Sequence, residues 1–493
     1  MYISSNSVDL LLSLLASTAL NKSTTALLNI RWTTNEMSSA LKSKNKDSTT
    51  IILYGPNFES TGSEVASQLG QQYYSLPLPT FSSNFLKNNS DLSTDNNLQK
   101  VASITMIDAK TRIDTMTISG STDDALIIFT SGTTGGSKGV RLSHRAIAIQ
   151  SLAKSLHPCE YSTETTMLAS TVPLFHVGGL SSCLSVMFSG GKLIFPDSKS
   201  RYGFDVNVVR SSLLNLHTPV NTLVVVPAML VSILGDDKAP KTYPNVRLIL
   251  IGGQSASDST IEKIFEKFPN ARIVQTYACT EAASSLTFLH INPKLYLSEG
   301  DKDGISGDCV GSPPSHIALR LYRKSGRATK IVSQPHQVGV IATRGCHVMN
   351  GYWDRGAQMT NLGGWFLTTD LGYFDEKGQL YFSGRIKDVI RSGGETVLAN
   401  EVERIILKHP HVSECAIFPR QDERFGEAVA CAIVAQLPIK LNSIKSWCED
   451  NGLANYKRPR YLFLVNELPR NSSGKILKHK LVAIYGKPSR SKL

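Results

Sequence analysis

Between residues 125 and 281 short apolar runs recur, and most of them stop abruptly in glycine and hydroxyl residues. Ala125–Phe129 runs into Thr130 and Ser131, Met167–Val172 into Pro173, Val246–Ile251 into Gly252 and Gly253, and Ala271–Gln275 into Thr276 and Tyr277. Runs of four to eight such residues, β-branched in part, read as buried strands. Helical stretches expected at 143–156, 204–216 and 258–268 separate them. Alternation of this kind predicts an α/β fold with a parallel sheet and a ligand site along the carboxyl ends of the strands.

The first of these junctions carries the most chemistry. Thr130-Ser131-Gly132-Thr133-Thr134-Gly135-Gly136-Ser137-Lys138-Gly139-Val140 places hydroxyls, glycines and one lysine directly after a strand. Glycines let the backbone approach a bulky anion, hydroxyls and free N–H groups donate to it, and the lysine supplies charge. That is the composition of a phosphate cradle, or of a flexible Gly/Ser/Thr loop. It departs from the Walker A pattern, because Ser137 precedes the lysine and Gly139 follows it.

The rest of the chain sets bounds. Its 493 residues exceed what one core supports, so two or more domains are expected. The net charge of +12 is spread along the chain and is dense only after Lys475, so nucleic-acid binding is not expected. Eight cysteines without CxxC pairs fit a reducing compartment. The apolar run Val8–Leu20 carries Asp9 and is too short to span a bilayer; it reads as a core helix capped near Asn6 or Ser7. Residues 79–123, rich in Ser, Thr, Asn and Asp, read as a variable linker. From about 305 to 386 shorter alternating segments predict a β-rich subdomain, and the last hundred residues a compact α+β domain. The chain ends in Ser491-Lys492-Leu493, the tripeptide read by the peroxisomal import receptor.

Seven stretches, in order, resemble the adenylate-forming enzymes, which comprise acyl-CoA synthetases, peptide-synthetase adenylation domains and luciferases. They are residues 130–140, Phe175-His176, Gly252-Gly253-Gln254, Tyr277–Glu281, Trp365–Asp370, Gly384–Glu395 and Pro469–Lys475. The resemblance implies an N-terminal AMP-binding domain over 1–386, a mobile C-terminal domain over 388–493, and a hinge at Lys387. Asn6–Trp32 resembles a stretch that lies some way into such proteins, so the usual opening strands are expected to be absent.

The resemblance also implies ATP, Mg2+ and CoA as the cofactors of a two-step reaction on a small-molecule carboxylic acid. Thr130, Ser131, Gly132, Thr133, Thr134, Gly135 and Lys138 would hold the β- and γ-phosphates. Glu281, beside Thr280, would hold the metal; Tyr277 and Gly252–Gly253–Gln254 would flank the adenine. Asp370 and Arg385 would reach the ribose, and Lys475 would be the lysine of the adenylation step. Gly393, Gly394 and Glu395 would reach the site for thioester formation. His176, with Phe175, Gly179 and Ser284, would line the acid. Three positions depart from the family pattern: Ser137 for Pro, Ala278 for Gly and Thr369 for Gly.

Pro173–Ser182 and Thr280–Phe288 resemble the o-succinylbenzoate–CoA ligases of menaquinone and phylloquinone synthesis, the plant and algal branch in particular. The implied substrate is an aromatic diacid. The alternatives are a peroxisomal fatty-acyl or 4-coumarate-type CoA ligase and, from another class, a shortened inactive relative acting as a binding protein. The expected location is the peroxisome, or the chloroplast if a transit peptide precedes Met1.

Overall fold

The computed structural model describes residues 2–3, 6–19, 25–41, 50–55, 57–69, 73–77, 123–130, 138–196, 204–235, 240–254, 256, 258–292, 309–325, 328–353, 363–470 and 476–487. Among them the strands form four sheets. The variable stretch 79–123, all but its last residue, lies outside the described residues, as do Ser131–Ser137, Lys475 and the C-terminal tripeptide.

The first sheet runs Gly351–Tyr352, Lys138–Ser143 (β2), Asp124–Thr130 (β1), Thr25–Leu27, Tyr2–Ile3, Thr50–Tyr54 and Tyr73–Pro77. It is parallel from β1 outward, but β1 and β2 pair antiparallel, as do β2 and Gly351–Tyr352. The expected parallel sheet is therefore mixed. The last register pair of β1 and β2 is Thr130 with Lys138.

The second sheet orders Leu248–Gly252 (β3) and Arg272–Cys279 (β4) between Thr222–Val225 and Ser284–Ile291 (β5), with Thr166–Leu168 and Lys192–Ile194 beyond. It is parallel except for the β4–β5 edge. Ile249, Ile251 and Ile273 are fully buried, as continuous apolar strands covered on both faces should be. A third, antiparallel sheet holds Phe366–Phe374 (β6) beside Leu380–Arg385 (β7), which accounts for the β-rich texture of 305–386. The fourth begins at Val389–Ser392, immediately after the 3-10 turn Ile386–Asp388, and centres on the long hairpin Val412–Asp422 and Gly426–Ala435.

Two helices position the candidate site. His144–Ala153 (α1) starts where expected, with the Ser143 hydroxyl accepting from the Ala146 N–H at 3.1 Å. Val177–Phe188 (α2) follows the expected junction at Pro173 and carries two glycines and three serines, a helix not expected from the sequence. Glycine and serine are poor helix formers, but here tertiary packing overrides propensity. Gly179, Leu180, Ser181, Ser182 and Cys183 are all buried. The N-terminal helix Val8–Ala19 is capped as expected, Ser7 Oγ accepting from Leu10 N. Asn6 has a different task. Its side chain donates to the carbonyls of Ala169 and Val172 and accepts from Leu174 N, pinning the segment that leads into α2.

Candidate active site

The hairpin mouth, Glu281 and Tyr352 form one connected group. Thr130 Oγ1 donates to the Lys138 carbonyl at 3.4 Å, and Lys138 Nζ stands 5.4 Å from the Tyr352 ring centroid. Tyr352 Oη in turn donates to Glu281 Oε1 at 2.9 Å. Glu281 lies in the 3-10 turn Thr280–Ala282, and its carbonyl accepts from Met349 N at 2.9 Å. Ala283 ends that turn at φ 58°, a left-handed conformation that costs a residue with a Cβ about 1 kcal/mol. The turn links β4 to β5, and Glu281 within it is only partly buried.

A second group lies across β4, β6 and β7. Asp370 and Arg385 are register partners on adjacent strands, with Arg385 Nε 3.3 Å from Asp370 Oδ1. Tyr277 Oη donates to Asp370 Oδ2 at 2.7 Å, and its ring lies 5.8 Å from that of Phe382. Asp370 is only 6% exposed although it carries a carboxylate, so its oxygens are costly unless hydrogen-bonded. Burial first, then the charge of Asp370, pushes the Tyr277 phenol well above its ordinary range, so it stays a donor. Burial likewise raises the Cys279 thiol, with Glu281 and Asp370 adding to the shift. Gly252 pairs with Thr276, one residue before Tyr277, and Gly253 adopts φ 85°, a left-handed conformation that glycine takes without cost. Thr369, one of the departures from the family pattern, faces out while Asp370 faces in. Ala278 sits at a β-bulge next to Tyr277.

The expected acid end is built by α1, α2 and β5. The Phe175 and His176 rings lie 4.6 Å apart, and His176 is the N-cap residue of α2. Ser284 is buried, its hydroxyl 2.7 Å from that of Ser181 and 3.0 Å from Lys154 Nζ. Gly179 has a packing role. A Cβ there would stand 2.5 Å from the carbonyl oxygens of both Val172 and Pro173, so its hydrogen face is pressed against backbone.

Other expected residues lie apart. Lys387 sits in the exposed part of the turn Ile386–Asp388. Gly393 and Gly394, at φ 61° and 88°, form the hairpin turn before Glu395, the pattern of a type I′ turn. Among the described residues no group of three or more His, Cys, Asp or Glu could hold a metal ion. Nor does any described helix have the length and apolarity to cross a membrane.

Three further residues of this region have no counterpart in the sequence motifs. Tyr352 binds Glu281 and underlies Lys138, Phe382 backs Tyr277, and Lys154 joins Ser284. Tyr352 follows Asn350 and Gly351, an ordinary turn sequence. Its pairing with Val140 brings it beside β2 and Lys138.

The hairpin mouth at Thr130 and Lys138, reached through Tyr352 and Glu281, and the Tyr277–Asp370–Arg385 group are joined through β4 and the turn that follows it. Residues 3–353 match the AMP-binding enzyme family and residues 401–475 its C-terminal domain. The chain belongs to the AMP-binding enzyme family. Within it, the chain is 29% identical to the chloroplastic/peroxisomal 2-succinylbenzoate–CoA ligase of Arabidopsis thaliana, over 95% of this chain and 84% of that one. It is 32% identical to a 2-succinylbenzoate–CoA ligase of Bacillus cereus, over 72% of this chain and 69% of the relative. Its fold matches that of the Bacillus subtilis o-succinylbenzoate CoA synthetase solved with the acyl-adenylate intermediate OSB-AMP. That match has a TM-score of 0.75 at 24% identity and covers 97% of this chain and 87% of the other. ATP-bound MatB from Rhodopseudomonas palustris matches with a TM-score of 0.76 at 24% identity, over 98% and 88% of the two chains.

Proposed function

We propose that the protein is an ATP-dependent acid–CoA ligase that converts o-succinylbenzoate to its CoA thioester, releasing AMP and pyrophosphate. The observation that carries the activity is the join between two groups. Tyr277–Asp370–Arg385 suits a nucleoside, and Glu281–Tyr352–Lys138 suits phosphates and a cation; β4 and its following turn connect them within five residues. The acid is supported by the named activity of the plant and bacterial relatives.

In the first step a substrate carboxylate oxygen attacks the α-phosphorus of ATP and the bond to pyrophosphate breaks. In the second, the CoA sulfur attacks the acyl carbon, AMP leaves and the thiol proton goes to solvent. Both steps move negative charge, so positioning and electrostatic stabilisation dominate. Asp370, an acceptor-only group when ionised, takes hydrogen bonds from ribose hydroxyls, and Arg385 holds it in register. Tyr277 stacks on the adenine against the backbone at Gly252–Gln254. Thr130–Gly135 and Lys138 hold the β- and γ-phosphates, and Glu281, beside Thr280, would hold Mg2+, which would supply charge neutralisation when bound. Phe175, His176 and Ser284 line the acid. Lys475 offsets charge at the α-phosphate. Rotation at Lys387 then exchanges it for Gly393, Gly394 and Glu395, since a hinge needs only a few torsions to change. The Ser491-Lys492-Leu493 ending supports peroxisomal import, and the Arabidopsis relative's printed name includes that compartment.

The test is a panel of acids with ATP, Mg2+ and CoA, read by pyrophosphate release and thioester formation. The reading expects turnover with o-succinylbenzoate well above that with a fatty acid or 4-coumarate. Turnover with either of those and none with o-succinylbenzoate would sink it. On the same panel Lys475→Ala should stop pyrophosphate release yet still make thioester from supplied acyl-adenylate; equal loss in both halves would remove the hinge assignment.

A further inference from the structure

Lys154 is a charged residue in a place that gives it no opposite charge. It ends α1, is 1% exposed, and its ammonium donates to Ser181 Oγ at 2.8 Å and to Ser284 Oγ at 3.0 Å. The two hydroxyls lie 2.7 Å from one another. Among the described residues no carboxylate pairs with it. The nearby thiols of Cys159 and Cys183 are no substitute, because burial pushes each up to about 12 and leaves it neutral. Lysine is almost never fully buried unless paired, and neutral hydroxyls compensate poorly for lost hydration.

The placement of the three groups says what completes them. Ser181 lies on α2 five residues after His176, and Ser284 opens β5 three residues after Glu281. The triad thus ties together the two elements that bracket the reacting end of the site. An ammonium has three donors, of which the serines take two. A pair of hydroxyls sharing one hydrogen bond has a further hydroxyl proton to give. A carboxylate, an acceptor-only anion with two oxygens, could take both remaining donors. We infer that Lys154, with Ser181 and Ser284, receives the second carboxylate of the substrate, the one on the ring that is not activated, and so selects a diacid over a monoacid. This rests on the o-succinylbenzoate reading and names the group that recognises the part of that acid far from the chemistry.

The experiment compares o-succinylbenzoate with 4-oxo-4-phenylbutanoate, the same chain and ring without the ring carboxylate, on wild type, Lys154→Met and Lys154→Gln. Melting curves with and without ATP confirm that each variant is folded and binds nucleotide. Wild type should favour the diacid. Both variants should lose kcat/KM for it by on the order of 100-fold, chiefly through KM, as removing one side of a buried charge pair does. Their turnover of the monoacid should stay within a few-fold of wild type, so the preference collapses. Equal loss on both acids would show that Lys154 only supports packing and would overturn the inference while leaving the substrate reading intact. A wild type that turns over the monoacid and ignores the diacid would overturn both. If Lys154→Met does not fold, Lys154→Gln, which keeps hydrogen-bonding capacity toward the serines without the charge, separates the same outcomes.

Discussion

At pH 7 the Lys154 ammonium is a cost to the folded protein. Burial lowers its pKa from the ordinary 10.5 to about 8, so the folded state resists protonation more than the unfolded chain does. Below pH 8 both states carry the proton and the full penalty applies. Between about 8 and 10.5 the unfolded chain binds more protons, so stability rises with pH, by about 3 kcal/mol in total at one pKa unit per 1.4 kcal/mol. Lys154→Met should therefore melt higher than wild type at pH 7 without substrate and should flatten the rise between pH 8 and 10.5. Parallel melting curves on the two proteins across that window check it; a variant that melts lower at pH 7 contradicts the assigned cost. Such a trade, stability given up for a charge at the right point, is what a binding group looks like from the folding side.

At the scale of elements, α2 explains how the acid end is held. Gly178 and Gly179 adjoin in its first turn but face different surroundings. A Cβ at Gly178 meets nothing within 4 Å, whereas one at Gly179 would stand 2.5 Å from two carbonyl oxygens of the 172–173 backbone. Gly178→Ala should be neutral or stabilising by up to about 1 kcal/mol, through helix propensity alone. Gly179→Ala should cost about 1–3 kcal/mol and raise the KM for the acid, because the segment it would displace carries Phe175 and His176. Thermal melts and acid KM values for the pair decide it; equal behaviour would mean that the close approach has no consequence.

The same helix marks the limit of what the sequence discloses. Strands that end in glycine and hydroxyl residues are legible because burial on both faces leaves a continuous apolar run, and the junctions at Phe129–Thr130 and Ile251–Gly252 lie where the sequence places them. The strand expected over Met167–Val172 instead ends at Leu168, and that expected over Ala271–Gln275 continues to Cys279. Helix α2 is not legible, because its glycines and serines serve close approach to neighbouring backbone and side chains and mask the helical period. The antiparallel edges at β2 and β5 are also hidden, since an apolar strand gives no sign of its neighbour's direction. Tyr277, Asp370 and Arg385 stand out by motif likeness, but their mutual bonding depends on register across three strands. Lys154 and Tyr352 carry no local mark at all; only the packing of distant segments gives them partners.

On the proposed reading, the chain places the nucleotide-binding Tyr277 just before the turn at Glu281 and the acid-lining Ser284 just after it, with the fourth sheet following the turn at Lys387. On that plan two reactions share one site, and the intermediate must survive between them. The central claim is thus that an acyl-adenylate forms before CoA is involved. It is tested by mixing the enzyme with ATP, Mg2+ and o-succinylbenzoate without CoA, quenching, and measuring enzyme-bound acyl-AMP against pyrophosphate by mass spectrometry. The account predicts o-succinylbenzoyl-AMP in amounts matching the pyrophosphate released, up to one per enzyme, and its conversion to thioester and AMP when CoA is added. Release of ADP and phosphate, or thioester formation with no adenylate ahead of it, would contradict the account.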